Sequence, residues 1–154
     1  MKRSHLLARA VVLRDGHVLL AHQKGAENTF LPGGHIEFGE GAAASLIREI
    51  REELGFTVKV TGYLGAVEAE WEDDAGQHYE INHVFSVDGV DLDVSVDPPS
   101  REEHLEFIWS PLDELEKRNL LPRPMVRLIV QFAGGDRTAW WASTVEGCTE
   151  LTER

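Results

Sequence analysis

The sequence predicts an α/β domain spanning residues 1–154, a mixed β-sheet covered by helices. Three observations predict it. Short apolar runs and alternating stretches recur along the chain as strand signals. Two windows, near 42–54 and 124–132, repeat apolar residues at helical spacing. The order is strands, helix, strands, helices, with no repeats and no long linker, which suits a sheet packed between helices.

A chain of this length can bury roughly 70% of the surface its unfolded form exposes, so it needs no staple. Its composition is 42% hydrophobic and 27% charged, a globular profile. The single cysteine, Cys148, excludes an intrachain disulfide and has no zinc-type spacing to histidine. A reducing, cytoplasmic setting is the expectation. Arg9 and Arg14 interrupt the N-terminal apolar run, so neither a signal peptide nor a membrane span is expected. The formal charge is −12, from 27 acids against 15 Lys and Arg. Such a surface repels nucleic-acid polymers. A small phosphorylated molecule remains admissible if a metal ion neutralises the charge locally.

Residues 5–13 read as a buried strand, followed by an Asp15-Gly16 turn signal and a partner strand at 18–21. A polar loop from Lys24 to Thr29 leads into Phe30-Leu31-Pro32-Gly33-Gly34. Ala43, Leu46, Ile47, Ile50 and Leu54 set the buried stripe of a helix over 42–54, with Gly55 at the expected left-handed cap. Residues 56–60 and 63–71 read as extended, Asp73 to Gly76 as a turn, and 79–87 as a half-buried strand. Leu92, Val94 and Val96 alternate with aspartates as a short edge strand. Pro98-Pro99 marks a loop, and 105–109 is another strand. Ser110 and Pro111 form a helix start. A last helix over 124–132 stops at Gly134-Gly135, and Trp140-Trp141 lies in a terminal strand. That pair serves either the core or a homodimer contact.

Glu49, Glu52 and Glu53 fall at i, i+3 and i+4 on the predicted helix, within a sector of roughly 100° turned away from Leu46, Ile50 and Leu54. Like charges so close repel by some tenths of a kcal/mol per pair. A divalent cation converts that repulsion into ligation, and Mg²⁺, with Mn²⁺ as a substitute, suits hard oxygen donors. Alone, the cluster reads first as a solvated acidic face paired through Arg48 and Glu52. The preceding loop separates the two readings. Gly33-Gly34 brings backbone close to a ligand. A carbonyl there can complete a metal shell, and amides such as that of Gly34 can meet phosphate oxygens. No Gly-Lys-Ser/Thr is present, so this is not an ATPase-type phosphate loop.

Residues 34–56 read Gly34, five residues, Glu40, seven residues, Arg48-Glu49-Ile50, one residue, Glu52-Glu53, one residue, Gly55-Phe56. This resembles the Nudix box, Gly-x5-Glu-x7-Arg-Glu-aliphatic-x-Glu-Glu-x-Gly-apolar, at every constrained position. The resemblance implies an α/β/α sandwich and a pyrophosphohydrolase acting on a nucleoside diphosphate linked to another moiety, with Mg²⁺ or Mn²⁺. By motif position, Glu52 and Glu53 are implied as the principal metal ligands and Glu49 as a further ligand or the general base. Arg48 is implied to orient the glutamates, Glu40 to support the loop–helix junction, and the Gly33 carbonyl to complete the metal shell. The base in this family also comes from outside the box, which points to Glu103 as an extra metal-site acid, or to Glu102 by a shift of one residue.

Substrate signals are thinner. Lys24 is either a phosphate partner or a solvated loop lysine. Phe30, Trp71, Tyr79 and Phe85 are either base-stacking or core residues. His22, His35, His78 and His83 show no ligand spacing. Against the family, the proline that an ADP-ribose branch carries past the box is absent at Glu70-Trp71-Glu72, and so is the NADH-branch signature. The run Leu31 to Glu40 is similar to that of members acting on nucleoside triphosphates, including oxidised ones. Nucleotide sugars and dinucleoside polyphosphates come next, and the rival from another class is a nucleotide-binding sensor that has lost catalysis.

Overall fold

The computed structural model describes residues 1–89 and 91–145; Cys148 lies outside them. The elements are β1 (Lys2–Val11), β2 (Leu13–Arg14), β3 (His17–Gln23), β4 (Thr29–Phe30), β5 (Gly33–His35), α1 (Ala42–Leu54), β6 (Lys59–Asp73), β7 (Gly76–Asp88), β8 (Leu105–Pro111), α2 (Pro124–Ala133) and β9 (Trp140–Ser143). The expected α/β architecture holds, with one refinement: there are two sheets. A mixed five-stranded sheet runs β5-β1-β7-β6-β9, and a smaller antiparallel one joins β2, β3, β4 and β8.

The strand expected at 5–13 is divided between the sheets. β1 ends at Val11, while Leu13 and Arg14 pair with Val18 and His17 across the Asp15-Gly16 turn. The strand at 18–21 therefore has β2 and β8 as neighbours, with Leu19 opposite Trp109 and Ala21 opposite Phe107. β1 instead lies parallel to β7 over its whole length. Its hydrophobic run fits such a position, flanked on both edges and covered on both faces.

Each face has its own core. On one, Leu46, Ile50 and Leu54 of α1 pack on Ala8 and Ala10 of β1, Phe85 and Val87 of β7, and Phe107 and Trp109 of β8. Leu46 and Ile50 are almost fully buried, and each such side chain contributes about 1.5–3 kcal/mol. On the other face, Met125, Leu128 and Ile129 of α2 pack on Val11, Val18, Val67 and Val84. Trp140 belongs to this second core and donates its indole N–H to Gln131 Oε1 at 2.9 Å.

α1 spans the residues its periodicity predicts and ends at Gly55, φ 79°. Two local expectations fail. Residues 94–96 form a turn and not an edge strand, because the Asp93 carboxylate accepts from the Ser95 amide (2.9 Å) and hydroxyl (2.7 Å) and curls the chain. No α-helix starts at Ser110. That residue lies within β8 and donates to the Pro111 carbonyl at 3.0 Å, and only a three-residue 3₁₀ turn, Leu112–Glu114, follows the strand. Among the described residues no helix is long and apolar enough to cross a membrane.

Candidate active site

The loop expected at Gly33-Gly34 is in fact the edge strand β5, antiparallel to β1, with Gly33 opposite Arg9 and Gly34 opposite Ala8. Gly33 has φ 139°, and a Cβ there would run into the Ala8 carbonyl. A Cβ at Gly34 would lie 2.5 Å from the Glu49 carboxyl carbon. Only glycines let α1 bring its carboxylates against this backbone.

Arg48 is the hub of the loop–helix junction. Its Nε and Nη2 donate to Glu40 at 2.8 and 3.0 Å, a two-pronged pairing. Nη1 donates to Glu49 Oε1 at 3.0 Å and to both Glu52 oxygens at 3.3 Å, and Nη2 also reaches the His35 carbonyl at 3.2 Å. The guanidinium holds the Glu40 carboxyl down at about 2. The surrounding carboxylates raise the pKa of Arg48 in turn, first of all Glu40.

The three helix acids differ sharply. Glu52 has a side chain 52% exposed. Glu49 is partly buried, and burial raises its pKa despite the Arg48 hydrogen bond. Glu53, expected on the outward sector, is only 6% exposed and its Oε2 has no hydrogen-bond partner. Burial pushes its carboxyl up to about 8, with Glu49 and Glu102 adding repulsion, while Arg9 and the Gly33 amide pull the other way. An ionised carboxylate left this way is costly.

The loop before β8 is fastened to the end of α1. The Arg101 amide donates to the Glu53 carbonyl at 2.8 Å, and the Arg101 guanidinium fills the space beside Gly55. This brings Glu102, half-buried, into electrostatic contact with Glu53, while Glu103 is exposed. Lys24 is exposed in the turn after β3, where its backbone amide donates to the His104 carbonyl at 2.9 Å.

Several site residues escaped the sequence. Arg9 of β1 donates through Nε to Asn82 Oδ1 at 3.3 Å and through Nη1 to the Leu31 carbonyl at 3.1 Å, and its guanidinium lies 5.3 Å from the Phe30 ring centroid. Asn82, 1% exposed, passes its amide to Glu80 Oε1 at 2.9 Å, and Glu80 Oε2 accepts the Trp71 indole N–H at 3.1 Å. Beyond them His35, His5 and His78 form a row, ring nitrogens 2.9 and 2.8 Å apart, ending on Asp73 at 2.9 Å. His5 turns a different nitrogen to each neighbour, so the row joins strands and does not chelate one ion. None of these has a periodic or spacing signature, because strand register brings them together.

Among the described residues, no three His, Cys, Asp or Glu side chains surround a common point, since Arg48 Nη1 stands between Glu49 and Glu52. The donor chemistry nevertheless fits a hard divalent cation: carboxylate oxygens, one of them buried without a partner, beside a backbone closed to any side chain.

The NUDIX domain profile matches residues 4–129. An ADP-ribose pyrophosphatase of Methanocaldococcus jannaschii is 32% identical over 97 residues, 60% of this chain and 56% of that protein. An isopentenyl-diphosphate Delta-isomerase of Cereibacter sphaeroides is 31% identical over 122 residues, 72% and 66% of the two chains. This chain thus spans about half the length of the first of these. Among solved structures, the MutT protein of Methanosarcina mazei Go1 superposes with a TM-score of 0.68 at 22% identity, over 89% of this chain and 98% of that one. A NUDIX hydrolase from Nitrosomonas europaea gives 0.62 at 19%, over 88% and 92%. At such identities the structures speak for the fold alone. With the profile covering most of its length and a complete box at 34–56, this chain belongs to the Nudix family.

Proposed function

We propose that this protein hydrolyses a diphosphate bond in a nucleoside diphosphate linked to another moiety, with Mg²⁺, or Mn²⁺ in its place. The observation that carries the reading is the buried Glu53 Oε2 without a partner, beside Gly33. Glu53, Glu52, Glu49 and the Gly33 carbonyl would hold the cation. When bound, it polarises the phosphoryl group and offsets charge on the departing oxygen.

The chain's own residues do the rest. Arg48, braced by the Glu40 fork, orients Glu49 and Glu52. Glu49, whose pKa burial has raised, is suited to accept the proton of the attacking water. The water oxygen joins phosphorus, the bridging P–O bond breaks, and its electron pair leaves with the departing phosphate. Glu102, half-buried and close enough to act on the Glu53 charge, is the better placed alternative base, and exposed Glu103 is the further one. The Gly34 amide and Lys24 are proposed to meet phosphate oxygens.

Nucleoside triphosphates remain the first substrate class, on the run from Leu31 to Glu40. The names of two relatives, an ADP-ribose pyrophosphatase and a putative one from Bacillus subtilis, favour ADP-ribose as the second. Incubation with a panel of both, plus nucleotide sugars and dinucleoside polyphosphates, tests the proposal by product analysis. Cleavage at the diphosphate that stops on chelation is expected. Binding without turnover in saturating Mg²⁺ and Mn²⁺ would reduce the protein to a sensor.

A further inference from the structure

Arg9 is a half-buried cation with no carboxylate within ion-pairing distance among the described residues, in a chain whose net charge is −12. Burial disfavours its charge, and only the more distant Glu80, Glu53 and Glu49 support it. Its position is nevertheless tightly fixed. The buried Asn82 amide donates to the Val67 carbonyl at 3.3 Å and to Glu80, which leaves Asn82 Oδ1 aimed at Arg9 Nε. The Leu31 carbonyl takes Nη1, and Arg9 Cζ lies over the Phe30 ring, 5.3 Å from its centroid.

These contacts use Nε and Nη1 and commit neither of the Nη2 hydrogens. Arg9 stands directly across the strand pair from Gly33, the residue against which Glu53 is buried. A guanidinium held in place with its Nη2 hydrogens uncommitted is a fixed donor of the kind that recognises phosphate oxygens. A simple counter-charge needs neither the Asn82 brace nor an uncommitted Nη2, and would sit in contact with the acid it neutralises.

We infer that Arg9, braced by Asn82, Leu31 and Phe30, binds a phosphoryl group of the substrate's diphosphate on the side of Gly33 opposite the acids of α1. This rests on the diphosphate reading above and adds a specificity-determining residue that lies outside the Nudix box. It divides the anion between a cation of the chain and the acid-lined side.

Calorimetric titration with magnesium pyrophosphate tests this, with Mn²⁺ binding measured in parallel on the wild type, Arg9→Lys, Arg9→Gln and Arg9→Gln/Glu80→Gln. Arg9→Gln is expected to weaken pyrophosphate at least tenfold, about 1.4 kcal/mol, with Mn²⁺ binding unchanged. Arg9→Lys, which keeps charge without the fork, should fall between. The double variant should stay as weak as Arg9→Gln. Recovery of affinity in the double variant would show that Arg9 only balances Glu80, and would overturn the assignment. So would wild-type affinity in Arg9→Gln, loss of Mn²⁺ binding in that variant, or no pyrophosphate binding by the wild type. Pyrophosphate carries no nucleoside, so Arg9-dependent binding by a chain that cleaves no nucleotide would leave this inference standing and remove the hydrolase reading.

Discussion

Glu40 and Glu53 belong to the same motif and lie toward the two ends of one segment, yet the protein treats their charges in opposite ways. At the loop–helix junction, Glu40 meets both prongs of Arg48 and its carboxyl is held at about 2. At the far end of α1, Glu53 is buried with one oxygen unpartnered and its carboxyl is pushed up to about 8. The junction is complete within the chain. The Glu53 end has no cation in contact with its free oxygen, Arg9 acting only from a distance, and burial makes that lack severe. A carboxylate so placed is suited to an external cation, whereas the Glu40–Arg48 pair is suited to holding geometry.

The largest effect should come from breaking the incomplete end. Glu53→Gln is expected to lower kcat by roughly 10³-fold, at or beyond the 10²–10³ typical of losing one electrostatic contributor. The same change should stabilise the metal-free chain above pH 8, where the wild type must keep a buried charge. A gain of about 1 kcal/mol would raise the thermal midpoint by about 2–4 °C at this size. Less stability together with wild-type turnover would refute the contrast.

Gly34→Ala comes next. Its new methyl would displace the Glu49 carboxylate, and a shift of that order costs about 10²-fold in rate. Circular dichroism should show the fold intact, and an unchanged rate would mean that Glu49 has no positional role. Arg48→Lys should be milder, roughly 10–100-fold, because lysine keeps the charge but cannot make the two-pronged contact with Glu40. Equal kcat in the two proteins would show that the junction does not orient the acids.

The pH dependence of metal-free stability sharpens the same contrast. Glu53 has a folded-state pKa raised above its ordinary 4.5, so the native state binds more protons between about pH 4.5 and 8, and stability falls as pH rises through that window. Glu40 is lowered instead, so its contribution is present above pH 4.5 and is lost as pH falls toward about 2. Subtracting denaturant midpoints of Glu53→Gln from those of the wild type isolates the first slope. A flat difference from pH 4.5 to 8 would contradict the buried, unpartnered state.

The sequence carried much of this, unevenly. α1 was legible to the residue because its apolar stripe, its Gly55 cap and its acids share one helical period. The box named the acids, but helical geometry alone placed Glu53 outward with Glu49 and Glu52. Its carboxyl is buried against the Gly33 backbone of β5 and feels Glu102 on the loop before β8, both distant in sequence. The partition of residues 5–21 between two sheets was hidden because a buried strand shows no alternation to indicate its partner. Residues 92–96 did alternate, yet a side-chain turn at Asp93 overrode the pattern. Arg9 left no trace beyond interrupting an apolar run; only the register of β1 against β5 and β7 gives it a role.

Anomalous scattering from a crystal soaked in Mn²⁺ tests the central claim most directly. An ion bound to Glu53 Oε2 beside the Gly33 backbone, and missing from Glu53→Gln, is the predicted result. A wild-type crystal at saturating Mn²⁺ with no peak there, and with Glu53 Oε2 satisfied by a protein donor, would contradict it.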